Sequence, residues 1–192
     1  MPPLAAKWTP ERVRGDGRTV GTHARPHHWH TPTPPPISPA MPHPTRPLTD
    51  GERALAASVF HDTIDYSQVT LSRSKWAFFQ PRDTVMAPRG CIHFHPKGQG
   101  WRDDFAAAAL TDQGLFIHEM VHIWQHQRGI CLPLARHPFC RYDYALKPGQ
   151  PLHRYGIEQQ GEIVRHAFLL RHGTRIPGAP SLAQYETLLP FG

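Results

Sequence analysis

A chain of 192 residues with 39% apolar content suffices for one core of ordinary size, but 22 prolines and 15 histidines are too many for a uniformly globular protein, which predicts one domain plus a tail. No apolar run nears the roughly 18–20 residues that span a bilayer, and the longest, at 105–110, is mostly alanine, so a membrane span is excluded. The net charge of +6 is dispersed, with six Lys/Arg against three Asp/Glu in residues 1–50 and fifteen against twelve in the remainder, which argues against specific nucleic-acid binding.

The N-terminal MPPLAAKWTPERVRGDG has no apolar h-region and no Arg-rich amphipathic pattern. It predicts a cytoplasmic protein, or one exported by a signal-peptide-independent system. Cys91, Cys131 and Cys140 are an odd set without CxxC spacing, for which free thiols are expected over a Cys131–Cys140 bridge.

Residues 1–50 hold twelve prolines and five histidines and almost no periodic apolar positions. The segment reads as a disordered or polyproline-II leader, and the folded domain is expected over 51–192. A first helix is predicted over 51–64, with Thr49 or Asp50 as cap and Glu52 in its first turn. Extended segments follow at 69–71 and 76–79, then a hairpin pairing 84–86 with 91–95. Alternation in the last strand turns Ile92 and Phe94 to one face and Cys91, His93 and His95 to the other, too far apart along the strand to converge on one ion. Residues 103–109 suggest a helical turn. A helix capped by Thr111 or Asp112 then runs to Gly129, residues 130–151 read as loop, and a second strong helix spans 156–171, closed by Gly173. Ser181 caps a short helix to residue 189.

The chemistry lies on the two long helices. His118-Glu119-Met-Val-His122 is an HExxH pattern inside an apolar helical stretch. Residues i and i+4 share a helix face, so both imidazoles can reach one zinc ion at about 2.1 Å while Glu119 turns toward a bound water. His126 stands two turns from His118, about 12 Å along the axis, too far to join them. The second helix carries Glu158 and Glu162 on one face, with Gly161 permitting close approach of a neighbour. A glutamate from it completes a His2Glu set. Glu158 is assigned as ligand and Glu162 as the group orienting a ligand histidine, the reverse being the alternative.

The set His118-Glu119-x-x-His122 with Glu158-x-x-x-Glu162 resembles the gluzincin branch of zinc metallopeptidases. More narrowly, FIHEMVHIWQHQ and IEQQGEIV resemble the small zinc-peptidase domains encoded near bacterial Vgr/Rhs type VI secretion genes, over about residues 48–173. Gluzincins often have aspartate where Glu162 stands. The resemblance implies a zincin-like α+β fold, two motif helices packed against a small sheet, and a hydrolase that uses Zn2+ to cleave peptides or proteins. It further implies Glu119 as general base and a side-chain donor for the oxyanion, for which Tyr155 is chosen over Tyr144 and His153. It also suggests strand addition of substrate at the sheet edge. The competing reading is a non-catalytic, zinc-stabilised adaptor linked to a secretion system. An intact Glu119 favours catalysis, because a structural site needs no base.

Overall fold

The computed structural model describes residues 45–135 and 140–191; expectations for residues 1–44 lie outside them. Capping chemistry starts the first helix. The Thr49 hydroxyl accepts the Glu52 N–H at 3.0 Å and the Glu52 carboxylate accepts the Thr49 N–H at 2.9 Å, and α1 (Asp50–Phe60) follows. It stops short of residue 64, at His61, whose φ of 50° breaks the helical path.

A strand lies inside the stretch expected to be leader. β1 (Thr45–Pro47) tolerates Pro47 because it is an edge strand. Its Arg46 forks onto the fully buried Glu52 carboxylate at 2.7 and 2.8 Å, and Glu52 also accepts the Phe105 N–H at 3.0 Å. The folded unit therefore includes Thr45–Pro47, and the boundary expected at residue 51 is corrected accordingly.

The sheet is mixed, with β1 antiparallel to β2 (Thr70–Ser72) and β2 parallel to β3 (Cys91–His93). The expected hairpin contracts to a single bridge: Met86 and His93 exchange two backbone hydrogen bonds, at 3.1 and 2.7 Å. This bridge occupies the outer edge of β3 at His93, so strand addition at that position is closed. Residues 76–79 form a turn rather than a strand. Ile92 and Phe94 are buried while Cys91 and His93 are half-buried, as alternation requires.

The core joins this sheet to the helices through a run of rings. Phe94 stacks on Phe105, and Phe105 on Phe116, at 5.4 and 5.3 Å between centroids. Phe116 belongs to α2 (Leu110–Gln127), which begins ahead of Thr111. Asp112 does not cap it, being engaged by Arg102 at 2.9 Å. Gly129 and Gly173, at φ 84° and 79°, follow the ends of α2 and α4 (Ile157–Arg171) in the left-handed conformation glycine accepts. Between them, α3 (Leu132–Ala135) is a short helix where loop was expected, and α5 (Leu182–Glu186) packs on α4. The described residues thus form an α+β domain of five helices and a three-stranded sheet, with three free cysteines. Among them no helix is long and apolar enough to cross a membrane.

Candidate metal centre

From Phe116 to Gln125 every residue of α2 is buried. The apolar residues of this stretch account for one buried face, and the face carrying His118 and His122 is covered as well, because α4 packs along it. Two glycines permit this approach. A Cβ on Gly114 of α2 would meet Leu169 at 3.1 Å, and one on Gly161 of α4 would meet the His118 ring at 2.6 Å.

The contact brings three buried donors to one point. Oε2 of Glu158 lies 3.4 Å from Nε2 of His118 and 3.3 Å from Nε2 of His122. A set with one donor atom from each of these residues lies within 4.8 Å of one another. Charge-assisted N–H···O bonds close to about 2.7–2.9 Å. Ligands held at about 2.0–2.1 Å around a tetrahedral ion stand roughly 3.3–3.4 Å apart. The two spacings thus match edges of a coordination tetrahedron better than direct hydrogen bonds. His118, His122 and Glu158 are close enough to bind a metal.

Each imidazole is held from behind. Oε1 of Glu162 lies 2.9 Å from Nδ1 of His118, and Glu162 is flanked in turn by Arg165 and His166. Nδ1 of His122 lies 2.9 Å from Oε1 of the fully buried Gln125. The carboxamide of Gln125 has one possible orientation. Its NH2 must face the Ile157 carbonyl, a pure acceptor, at 3.2 Å, while also donating to Oε1 of Gln160 at 3.0 Å. Its oxygen therefore accepts from His122, which carries its proton on Nδ1 and leaves the Nε2 lone pair free for a ligand. Gln160 continues the chain by donating to the Tyr155 carbonyl at 2.8 Å. These two glutamines, unnoticed in the sequence, tie α2 to the start of α4; the His-x-x-Gln spacing at His122 is the signal that could have found Gln125.

Burial opposes a charge on His118, but the carboxylates of Glu158 and Glu162, with the field of Glu119, outweigh it and raise its pKa to about 10. Burial likewise pushes Glu162 up, yet its hydrogen bond to His118 and the charges of His118, Arg165 and His166 prevail and bring it down to about 2. Three carboxylates crowded around two imidazoles favour a bound cation, whether proton or metal.

Glu119, also buried, precedes the turn that carries Met120 into the core, and its field reaches His118. Tyr155 is a core residue whose hydroxyl oxygen accepts the Lys147 N–H at 2.9 Å, pinning the loop ahead of α4. The Tyr144 hydroxyl meets Nδ1 of His166 and the Tyr185 hydroxyl, and His153 is exposed. The tyrosine ring nearest in kind to a site wall is Tyr142, missed in the sequence. It lies nearly parallel to His118, at 6.3 Å and 21°, and is 44% exposed. Nothing in its irregular loop marks it.

An α+β domain whose two main helices hold a buried His2Glu cluster is the class defined by this fold and site. No model of a known protein family matches the chain. The solved effector domain of Pseudomonas aeruginosa VgrG2b is similar to it, at a TM-score of 0.64 and 41% identity, over 74% of this chain and 80% of that one. The type VI secretion system spike protein VgrG2b of the same organism is 46% identical over 132 residues, which are 65% of this chain. The chain belongs to the family of the VgrG2b effector domain. The matched region spans 13% of the length of the spike protein.

Proposed function

We propose that the chain is a zinc-dependent peptidase with a zincin-like, gluzincin-type site, acting as an effector associated with type VI secretion. The observation that carries the reading is the position of Glu158 Oε2, 3.4 and 3.3 Å from two histidine Nε2 atoms. The donor set of two imidazoles and one carboxylate is one that zinc takes in hydrolytic sites, with a position left for water. Kinship to a domain described as an effector, and to a spike protein of a type VI secretion system, supports the setting.

When bound, zinc would supply Lewis-acid polarisation of a peptide carbonyl and a lowered pKa for water. The chain's own residues do the rest. Glu119 takes the proton of the attacking water and delivers it to the departing amine. His118 and His122 keep their rings in place through Glu162 and Gln125. Tyr155 is the donor suggested by family resemblance, but it is a core residue with its hydroxyl turned to the loop at Lys147. Tyr142, beside His118 at the surface, is the better candidate to face the substrate.

The test is zinc content by elemental mass spectrometry, compared between the full chain and His118→Ala, together with proteolysis by the full chain and Glu119→Gln. The comparison removes the contribution of the histidines in residues 1–44. The reading requires one zinc fewer in His118→Ala, and a zinc-loaded Glu119→Gln with at least about a hundredfold less activity. Equal zinc in both chains would sink it. Zinc retained without any Glu119-dependent cleavage would support the adaptor instead.

A further inference from the structure

A cavity of about 200 Å³ opens beside the candidate metal centre, and its walls are mostly apolar. His122 and Glu158 are part of its lining, so it reaches the metal position itself. Trp76, Phe79 and Met86 form one side, and Leu132 and Ile157 contribute from α3 and the start of α4.

These walls are preorganised. The turn bearing Trp76 and Phe79 is pinned by the buried Gln80, whose side-chain oxygen accepts the Trp76 N–H at 2.8 Å. The amide of Gln80 donates to the Thr84 and His93 carbonyls at 2.8 and 3.0 Å, fixing the turn to β3. Met86 is held to His93 by the two backbone bonds of its bridge. Phe79 is nonetheless 61% exposed. A rigidly mounted aromatic left open at the rim of an apolar cavity is the arrangement of a ligand pocket.

We infer that this cavity is the specificity pocket of the enzyme and takes a bulky apolar side chain, such as leucine, methionine or phenylalanine, from the substrate residue adjoining the scissile bond. The inference rests on the peptidase reading for the word scissile, though the pocket's choice of side chain does not. Size and reach both fit. A cavity of about 150 Å³ lined by aliphatic and aromatic groups holds benzene, so this one has room for a phenyl or branched aliphatic group. Successive residues of an extended chain are about 3.3–3.6 Å apart, so an amide presented at His122 and Glu158 sets its neighbouring side chain at the cavity mouth. Charged side chains would be desolvated against Trp76, Phe79 and Leu132, and the two ionisable groups of the lining, His122 and Glu158, would be taken up by a bound metal, so charge is disfavoured there.

The test separates binding from cleavage. Blocked hexapeptides identical except for Leu, Phe, Met, Ala, Asp or Lys at one central position are titrated against the full-length, zinc-supplemented Glu119→Gln chain by calorimetry. The expected result is binding of the Leu, Phe or Met peptides at least about tenfold tighter than Ala, with Asp and Lys weaker still. Phe79→Asp and Leu132→Asp should abolish that preference, and Phe78→Asp, at a side chain 88% exposed and outside the lining, should retain it. Phe79 lies at the surface, so its variant remains informative even where the buried Leu132 change unfolds the chain. Equal affinities across the series, no binding of any peptide, or a preference that survives in Phe79→Asp would overturn the inference. Cleavage of the same peptides by the unsubstituted chain distinguishes the two readings. Selective binding without hydrolysis sinks the peptidase and keeps the pocket, and hydrolysis without selectivity does the reverse.

Discussion

Gly161 lies directly beneath the ring of His118: a methyl group in place of its hydrogen would fall 2.6 Å from Cε1 and 2.8 Å from both ring nitrogens. Neither side can yield easily, because α4 is packed along α2 and the ring is held by Glu162. Gly161→Ala should cost about 1–3 kcal/mol. It should also displace His118 and lower zinc affinity, read as a smaller rise in melting temperature on adding zinc. Gly114→Ala, facing the flexible end of Leu169 at 3.1 Å, should leave zinc binding intact. Identical zinc responses in Gly161→Ala and the unsubstituted chain would refute the steric argument.

Removing the carboxamide behind His122 should be felt at the metal without touching a ligand. Gln125→Leu leaves the Ile157 carbonyl and Gln160 without their donor and frees His122 to change tautomer. Zinc affinity should fall about 10–100-fold, measured by competition with a chelating dye. Glu162→Gln should fall in the same range and Glu158→Ala well beyond it. A Gln125→Leu chain of unaltered affinity would show that the ring needs no such support.

The pH dependence of the metal-free chain follows from the signs of two shifts. Glu162 is depressed to about 2 from 4.5, so its stabilisation is complete above about 4.5 and is lost as pH falls through about 2. His118 is raised to about 10 from 6.5, so its contribution is complete below about 6.5 and fades as pH rises through about 10. With zinc chelated, the stability lost in Glu162→Gln should be greatest near pH 4.5–6.5 and shrink on both sides, by urea unfolding at stepped pH. Zinc must displace the His118 proton, so its stabilising effect should instead grow from pH 5.5 toward 8. A chelated chain whose Glu162→Gln deficit is flat from pH 3 to 9 would contradict the pairing.

Stability at a distance from the metal should rest on Phe94 and Glu52. Phe94 touches Trp101 and Phe105 in the ring stack, and Phe94→Ala should cost about 3–5 kcal/mol. Glu52→Ala strands Arg46 and two backbone N–H groups and should cost a similar amount, whereas Thr49→Ala, which loses its cap bond and the hydroxyl's bond to Asp104, should cost about 1–2 kcal/mol. Denaturant midpoints measure the order. Phe94→Ala should keep the zinc stoichiometry below its melting temperature.

What was legible in the sequence was whatever depends on neighbours along the chain. The i, i+4 spacing put His118 beside His122 and Glu158 near Glu162, the sequence narrowed the first cap to Thr49 or Asp50, of which the fold uses Thr49, and Gly129 and Gly173 marked helix ends. Contacts made across the fold were not legible. Asp112 looked like a cap because its partner Arg102 is brought to it by the loop before α2. Trp76 and Phe79 had strand-like chemistry, but Gln80 bends that segment into a turn through bonds to Thr84 and to His93 on β3. β1 was hidden by Pro47 and the proline-rich sequence before it, and β2–β3 pairing is parallel, with no hairpin signal to betray it. Tyr155 and Tyr142 could not be ranked, since only the fold shows that Tyr155 lies in the core against Lys147 and that the Tyr142 ring lies beside His118.

The fork of Arg46 onto Glu52 also decides where this domain can be transplanted. A junction with any carrier placed between Pro47 and Thr49 would look reasonable from helix boundaries, yet it would leave a buried carboxylate without its counter-ion and expose the unpaired flank of β2. Grafts that respect the architecture must therefore join upstream of Thr45, and a protease that trims the chain to Thr49 should yield an aggregation-prone fragment rather than a smaller working domain.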